Sequence, residues 1–253
     1  MHKNFDKEIQ DKLLYKIHEK SRKIKFLPKE HKYFLDVFEL SSVSSYIDNY
    51  KKKFETYKIA SKLCKTFNTK HSLYNTLHER KAEYYVELWG AKRDMAAAKG
   101  TYIHLFAQTF PYFDEPKIKE HNFIIDYFNN LKSNYIFIGS EIRVFSTKLK
   151  LAGTLDGLLW NKETNKLAII DFKTNEDLHK KDSGYFNKPF HKFKSTKVNH
   201  YTLQLNFYKY CLEEMFEKDL VESLQLIWIN DINDSYKIIP LQILNLKDYL
   251  NIK

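Results

Sequence analysis

The sequence predicts a mixed α/β (α+β) fold, a central mixed sheet flanked by helices with a helical N-terminal half. Three observations carry this. From about residue 44 to 111, apolar positions recur at helical spacing almost throughout. At Tyr135 the pattern changes to short apolar runs bounded by Gly, Asn and Thr, which is strand chemistry. The later half then reads β-β-β-α-β-β, an order that one sheet with helices packed on it accommodates.

Taken in order, Phe5, Ile9, Leu13 and Ile17 stand four apart and predict an amphipathic helix over residues 3–20. Two apolar runs around Pro28-Lys29-Glu30-His31 predict a hairpin within 24–40. The serines of 41–45 predict a helix cap, because a serine oxygen accepts from the first unpaired N–H groups. Breaks are expected at Asn68-Thr69 and Trp89-Gly90, and Pro111 ends the helix that carries Gly100 to Phe110. A further helix is expected over 117–133. Residues 135–139 and 142–145 together read as strand, 151–160 as a second strand interrupted by Gly153 and Gly157, and 167–173 as a third. The third is apolar on successive residues, so both its faces should be buried. A long polar loop over 175–197 precedes a helix over 198–217, strands over 224–229 and 236–239, and a last short helix over 244–252.

Composition narrows the function classes. Hydrophobic residues make up 43%, enough for a real core, and no run approaches the ~20 apolar residues of a membrane span. The first ten residues mix Lys3 and Lys7 with Asp6 and Glu8 and hold no apolar stretch, which argues against a secretory signal. Cys64 and Cys211 are too few for a four-cysteine zinc or iron–sulfur site, and a reducing, intracellular and cytoplasmic setting is expected. The net charge of +10 is almost all lysine, which supplies sequence-independent attraction for a polyanion.

The chemistry centres on Asp171-Phe172-Lys173, at the C-terminal end of the third strand. An acid-x-Lys triplet should occur roughly five times by chance in this composition, so the triplet alone decides nothing. Its context does more. Gly153-Thr154-Leu155-Asp156-Gly157 precedes it, and a hairpin would bring Asp156 beside Asp171. Two carboxylates at a strand end make a hard-oxygen site suited to Mg²⁺ or Mn²⁺. Lys173 shares a face with Asp171 and could stabilise charge developing on a phosphate. Gly100-Thr101-x-x-His104 puts a histidine on a helix, and Gln204 and Tyr208, four apart, share a face of a later one.

In this order and spacing, these four elements resemble the motif set of the RecB-like nucleases of the PD-(D/E)XK superfamily. That group includes lambda exonuclease, the CRISPR-adaptation nucleases and the mitochondrial genome maintenance exonuclease. His31-x-Tyr33, Ser42-Val43-Ser44, Phe54, Ala60, Trp89 and Arg93 extend the likeness to small single-domain members of phages and bacteria, over roughly residues 26–230. The resemblance implies one nuclease domain over 1–253, with 1–133 a mainly helical part carrying the histidine and 134–253 the catalytic core. It implies that His104, Asp156, Asp171 and the backbone carbonyl of Phe172 hold a divalent metal, with Lys173 the catalytic lysine. Gln204 and Tyr208 would support the site and contact the DNA backbone. Many relatives carry Glu four residues after the histidine, where this chain has Gln108; Glu141 could supply that charge. The cysteines that bind a cluster in some relatives are absent, so no iron–sulfur cluster is expected.

The loop from His179 to His200 adds Lys180, Lys181, Lys188, Lys192, Lys194 and Lys197, interleaved with Tyr185, Phe186, Phe190 and Phe193. Lysines with exposed rings suit single strands, because phosphates meet the cations and bases stack on the rings. With Arg93, these residues form the expected nucleic-acid surface. The expected activity is a metal-dependent deoxyribonuclease, an exonuclease preferring single-stranded ends, with DNA as partner and replication or recombination proteins as plausible associates. The alternatives are a structure-specific or RNA endonuclease of the same fold, and a catalytically inactive nucleic-acid-binding module.

Overall fold

The computed structural model describes residues 7–70, 81–110, 115–178, 181–230 and 232–250. The helices are α1 (Lys7–Ser21), α2 (Val43–Asp48), α3 (Thr56–Lys70), α4 (Ala82–Thr109), α5 (Lys119–Asn129) and α6 (Lys197–Phe216). The strands are β1 (Ile24–Leu27), β2 (Lys32–Leu35), β3 (Phe38–Ser42), β4 (Tyr135–Gly139), β5 (Ile142–Ser146), β6 (Leu151–Leu155), β7 (Gly157–Asn161) and β8 (Lys166–Lys173). They continue with β9 (Lys181–Tyr185), β10 (Lys194–Thr196), β11 (Val221–Trp228) and β12 (Lys237–Leu241). The fold is mixed α/β with mixed sheets. Among the described residues no helix is long and apolar enough to cross a membrane.

The chain divides into two compact units, one of residues 1–51 with 103–253, the other of residues 52–102. The larger unit holds two five-stranded sheets, in the orders β1-β2-β3-β6-β5 and β12-β11-β8-β7-β4, and a two-stranded ribbon of β9 and β10. The expected hairpin forms as β1 and β2, and β3 then joins β6 in parallel, so the N-terminal residues belong to a sheet of the later half. Ser42 caps α2, its Oγ accepting from Ser45 N at 3.1 Å.

β8 organises the second sheet. It pairs antiparallel with β7 and parallel with β11, and six consecutive residues, Leu167 to Phe172, are buried. Alternation sends Leu167 and Ile169 into a core shared with α6, and Ala168, Ile170 and Phe172 into a second core with Ile103, Phe106, Phe123 and Phe128. Each large apolar side chain so buried contributes about 1.5–3 kcal/mol. The strand therefore cannot slip in register, and its end is a rigid platform. Asp171 and Lys173 take the α6 side of that alternation.

Several expectations are corrected. The segment 151–160 is two strands in different sheets, divided at Asp156. The two runs 135–139 and 142–145, counted together as one strand, are the separate strands β4 and β5, parted by Ser140 and the left-handed Glu141 (φ 52°). Gly90 does not break α4, since one glycine in 28 residues costs only about 1 kcal/mol of helix propensity. The 175–197 loop contains β9 and β10, and of the last helix only a 3₁₀ turn, Leu246–Asp248, is described. α3 runs through Asn68 and Thr69 to Lys70, and Pro111 lies outside the described residues.

The smaller unit comprises α3 and the part of α4 up to Tyr102. Ala60, Cys64 and Ala82 form its small core, with Tyr85, Val86 and Trp89 packed against them. Tyr57 Oη donates to Glu83 at 2.9 Å.

Candidate active site at the end of strand β8

Asp156 occupies the single residue between β6 and β7, and its position follows from that sheet switch. β7 begins opposite Ile170, so the Asp156 carboxylate reaches the next backbone donor of β8: Phe172 N donates to Asp156 Oδ2 at 3.0 Å. Gly157 permits this close pairing. A Cβ there would stand 2.7 Å from Ile170 Cγ1.

His104 reaches the same place from α4. Its Nε2 donates to the carbonyl of Phe172 at 2.8 Å, and its Nδ1 lies 3.4 Å from Asp156 Oδ2. Because a carbonyl can only accept, Nε2 carries the proton in this arrangement. Lys173 Nζ stands 2.5 Å from Asp171 Oδ2, with side-chain exposures of 15% and 4%. Four stretches of sequence thus meet at one strand end: the α4 histidine, the β6–β7 aspartate, the β8 triplet and the α6 face.

The electrostatics are those of crowded carboxylates. Burial pushes the Asp171 carboxyl up; Lys173 opposes this and Asp156 adds to it. Burial disfavours the Lys173 ammonium, but Asp171 and Asp156 more than offset that and hold it above the usual lysine range. Desolvation and repulsion from Asp156 also raise the Glu141 carboxyl, although that residue is solvent-exposed and water screens the interaction. Gln108 is exposed too, and its backbone carbonyl accepts from Ser140 Oγ at 3.3 Å.

Gln204 Nε2 donates to Tyr208 Oη at 2.9 Å on the face of α6 that covers β6. Tyr208 is buried against Gly153, which argues against the DNA-backbone contact expected of it. Tyr33 Oη lies 3.0 Å from Thr154 Oγ1 and ties the N-terminal hairpin to the strand that delivers Asp156.

The expected nucleic-acid surface changes more. Phe190 is 0% exposed and packs its ring against Tyr50, Phe207 and Tyr249, so it cannot stack on a base. Phe186 is buried as well, and Phe193 is half-buried against Tyr249. Tyr185 remains 50% exposed, and Lys188, Lys192, Lys194 and Lys197 are exposed. Lys180 lies outside the described residues, and Lys181 opens β9. Arg93 is in the smaller unit, exposed and paired with Asp94 at 2.9 Å. Sequence reasoning missed Tyr201, whose ring lies under the Lys173 ammonium at 4.9 Å; one aromatic among many on a helix gives no signal.

The donor set is two aspartate carboxylates, one main-chain carbonyl and one imidazole, with Glu141 close by. By hardness and charge this suits Mg²⁺, and the imidazole extends it to Mn²⁺. Among the described residues no three His, Cys, Asp or Glu side chains stand together as a ready metal-ligand group. Lys173 is ion-paired with Asp171, and His104 Nε2 donates to the Phe172 carbonyl. A cavity of about 720 Å³ opens beside the C-terminal half of α6, lined by Lys209, Glu213 and Leu244, and shares no residue with the strand-end cluster.

No protein-family model matches this chain, and no curated protein matches it.

Proposed function

We propose that this protein is a metal-dependent deoxyribonuclease built on a PD-(D/E)XK core, an exonuclease that prefers single-stranded DNA ends and serves replication, recombination or repair. One observation carries the reading. Residues 104, 156 and 171–173, far apart in sequence, meet within hydrogen-bonding or ion-pairing distance at the end of one doubly buried strand. The antiparallel β7–β8 hairpin and the parallel pairing of β8 with β11 support the reading, since they fix the strand end on both sides.

In this reading Asp156, Asp171, the Phe172 carbonyl and His104 hold Mg²⁺ or Mn²⁺, with Glu141 alongside. A divalent cation bound there would polarise the scissile phosphate and lower the pKa of a water. Lys173 places its ammonium beside the phosphate, where it orients the attacking water and offsets developing negative charge. The nearly dry surroundings of Asp171 and Lys173 strengthen that interaction relative to water. Lys188, Lys192, Lys194 and Lys197 attract the phosphate backbone, and Tyr185 offers one exposed ring for a base.

The test is cleavage of end-labelled linear DNA, single- and double-stranded, with Mg²⁺, Mn²⁺ or EDTA. Label loss that needs metal and vanishes in Asp171→Ala and Lys173→Ala is the expected result. A closed single-stranded circle should resist. The alternative reading is a nucleic-acid-binding module without catalysis. Intact DNA in every lane, with binding indifferent to EDTA, selects that reading.

A further inference from the structure

Lys173 has two kinds of neighbour for its charge, the carboxylates of Asp171 and Asp156 and one aromatic ring. Its Nζ stands 2.5 Å from Asp171 Oδ2 and 4.9 Å from the centroid of the Tyr201 ring. The ring itself is fixed. Tyr201 leaves the first turns of α6, and its hydroxyl donates to Asn175 Oδ1 at 2.6 Å. The main-chain carbonyl of Asn175 accepts from Trp228 Nε1 at 2.7 Å and from Asn230 Nδ2 at 3.0 Å. Ile229 N donates to the carbonyl of Lys173 at 2.8 Å. The aromatic face is therefore locked to the two residues after Lys173 and to the end of the neighbouring parallel strand.

A lysine ammonium is a compact charge on a flexible four-carbon stem, and holding it in one place costs rotamer entropy. Asp171 cannot do that alone if its carboxylate also binds a cation, because a metal-bound carboxylate pulls less on a neighbouring ammonium. The face of Tyr201 is no ligand for a hard cation, so its attraction persists.

We propose that Tyr201 is the positioning residue for Lys173, holding its ammonium over the strand-end site when the Asp171 carboxylate is engaged by a divalent cation. The kinetic consequence rests on the nuclease reading; the placement does not.

Two measurements on the full chain separate these. The first is NMR of protein labelled with ¹³C at the lysine ε-carbon, with the Lys173 signal assigned by Lys173→Arg. The ring current of Tyr201 should shift that signal upfield in the wild type and in Tyr201→Phe, and the shift should survive addition of Mg²⁺. In Tyr201→Leu it should return to the position of exposed lysines. Should Tyr201→Leu fail to fold, Tyr201→Met, which keeps bulk but carries no ring, should remove the shift instead.

The second is single-turnover cleavage of end-labelled DNA. Tyr201→Leu should lower the maximal rate about tenfold without changing the DNA concentration at half-saturation. Tyr201→Phe should restore most of the rate. A Lys173 signal unmoved by Tyr201→Leu, or lost from its shifted position on adding Mg²⁺, overturns the proposal. So does a Tyr201→Leu rate equal to that of an active wild type. A wild type that cuts no DNA but keeps the shifted signal, lost in Tyr201→Leu, refutes the nuclease reading and supports the placement.

Discussion

Replacing Gly153 with alanine tests the packing that holds the candidate site in place. Gly153 lies in β6 with its missing side chain facing α6, and an added Cβ would stand 2.3 Å from Tyr208 Cε1, 3.1 Å from Cδ1 and 3.2 Å from Cζ. Ordinary carbon contacts begin near 3.5 Å, so the ring or the strand must shift by roughly 1 Å. Neither can do so easily. β6 is paired with β5 on one side and β3 on the other, and Tyr208 is buried with its hydroxyl held by Gln204 at 2.9 Å. Overpacking of this kind costs about 1–3 kcal/mol. For a chain of this size that lowers Tm by about 2–4 °C per kcal/mol, hence about 4–8 °C for 2 kcal/mol. The assay is thermal unfolding followed by circular dichroism. Gly139→Ala is the control, because there the close contact, 2.9 Å, is to Leu14 Cδ1 at the end of a flexible side chain. Gly153→Ala with Tyr208→Leu should recover part of the loss, since the shorter side chain vacates the ring edge. A Gly153→Ala protein as stable as the wild type would falsify the argument that the bare strand face of Gly153 is what seats Tyr208.

Other perturbations probe separate parts of the molecule. Gly90→Ala meets nothing within 4 Å in the middle of α4, so it should stabilise by about 0.5–1 kcal/mol in denaturant titration; destabilisation would show that this stretch is not helix in solution. Asn206 is 1% exposed, donates to the carbonyls of Thr202 and Gln242 and accepts from Leu244 N, so Asn206→Ala should cost about 2–4 kcal/mol by leaving those groups unpaired. Phe190→Ala should cost about 3–5 kcal/mol whereas Tyr185→Ala should be nearly neutral, and equal effects would contradict the burial of Phe190. Burial, then Lys51, Lys197 and Lys173 against the opposing pull of Asp48, push His200 down to about 3. The unfolded chain, titrating near 6.5, takes up the proton first, so stability present above pH 6.5 is lost as pH falls. Between pH 8 and pH 5 the wild type should lose about 1–2 kcal/mol more than His200→Gln, and parallel pH profiles would refute it.

Much of the site's placement was legible because it depends on strand physics. Six consecutive buried residues ending in Asp-Phe-Lys announce a central strand whose end is fixed, and Asp156 upstream could be read as its hairpin partner. The change of sheet at Asp156 was not legible. A run such as Leu151 to Trp160 is apolar on both sides of its glycines, and periodicity within it cannot tell one bent strand from two. Both glycines looked like interruptions; in the fold each makes room for a named neighbour, Tyr208 or Ile170. The helices around 3–20, 117–133 and 198–217 fell near their expected bounds because each carries its own period, whereas the three strands expected between residue 135 and α6 became seven, because strand pairing is set by contacts remote in sequence.

The basic loop teaches the opposite lesson about what a pattern can hide. Its alternation of lysines and rings has no period, and composition alone assigns every ring equally to solvent or to core. The core takes them first: Asn187 N donates to Tyr50 O at 2.7 Å, which pins the loop over α2 and lets Phe186 and Phe190 drop into apolar space beside Phe207. What stays outside is Tyr185 and the lysines, so this face offers charge far more than stacking. Charge gives attraction without base preference, and it weakens steeply with salt. On the proposed nuclease reading, selectivity for single strands would rest on the strand-end site, where the buried Asp171–Lys173 pair and the Tyr201 ring lie together, more than on the loop.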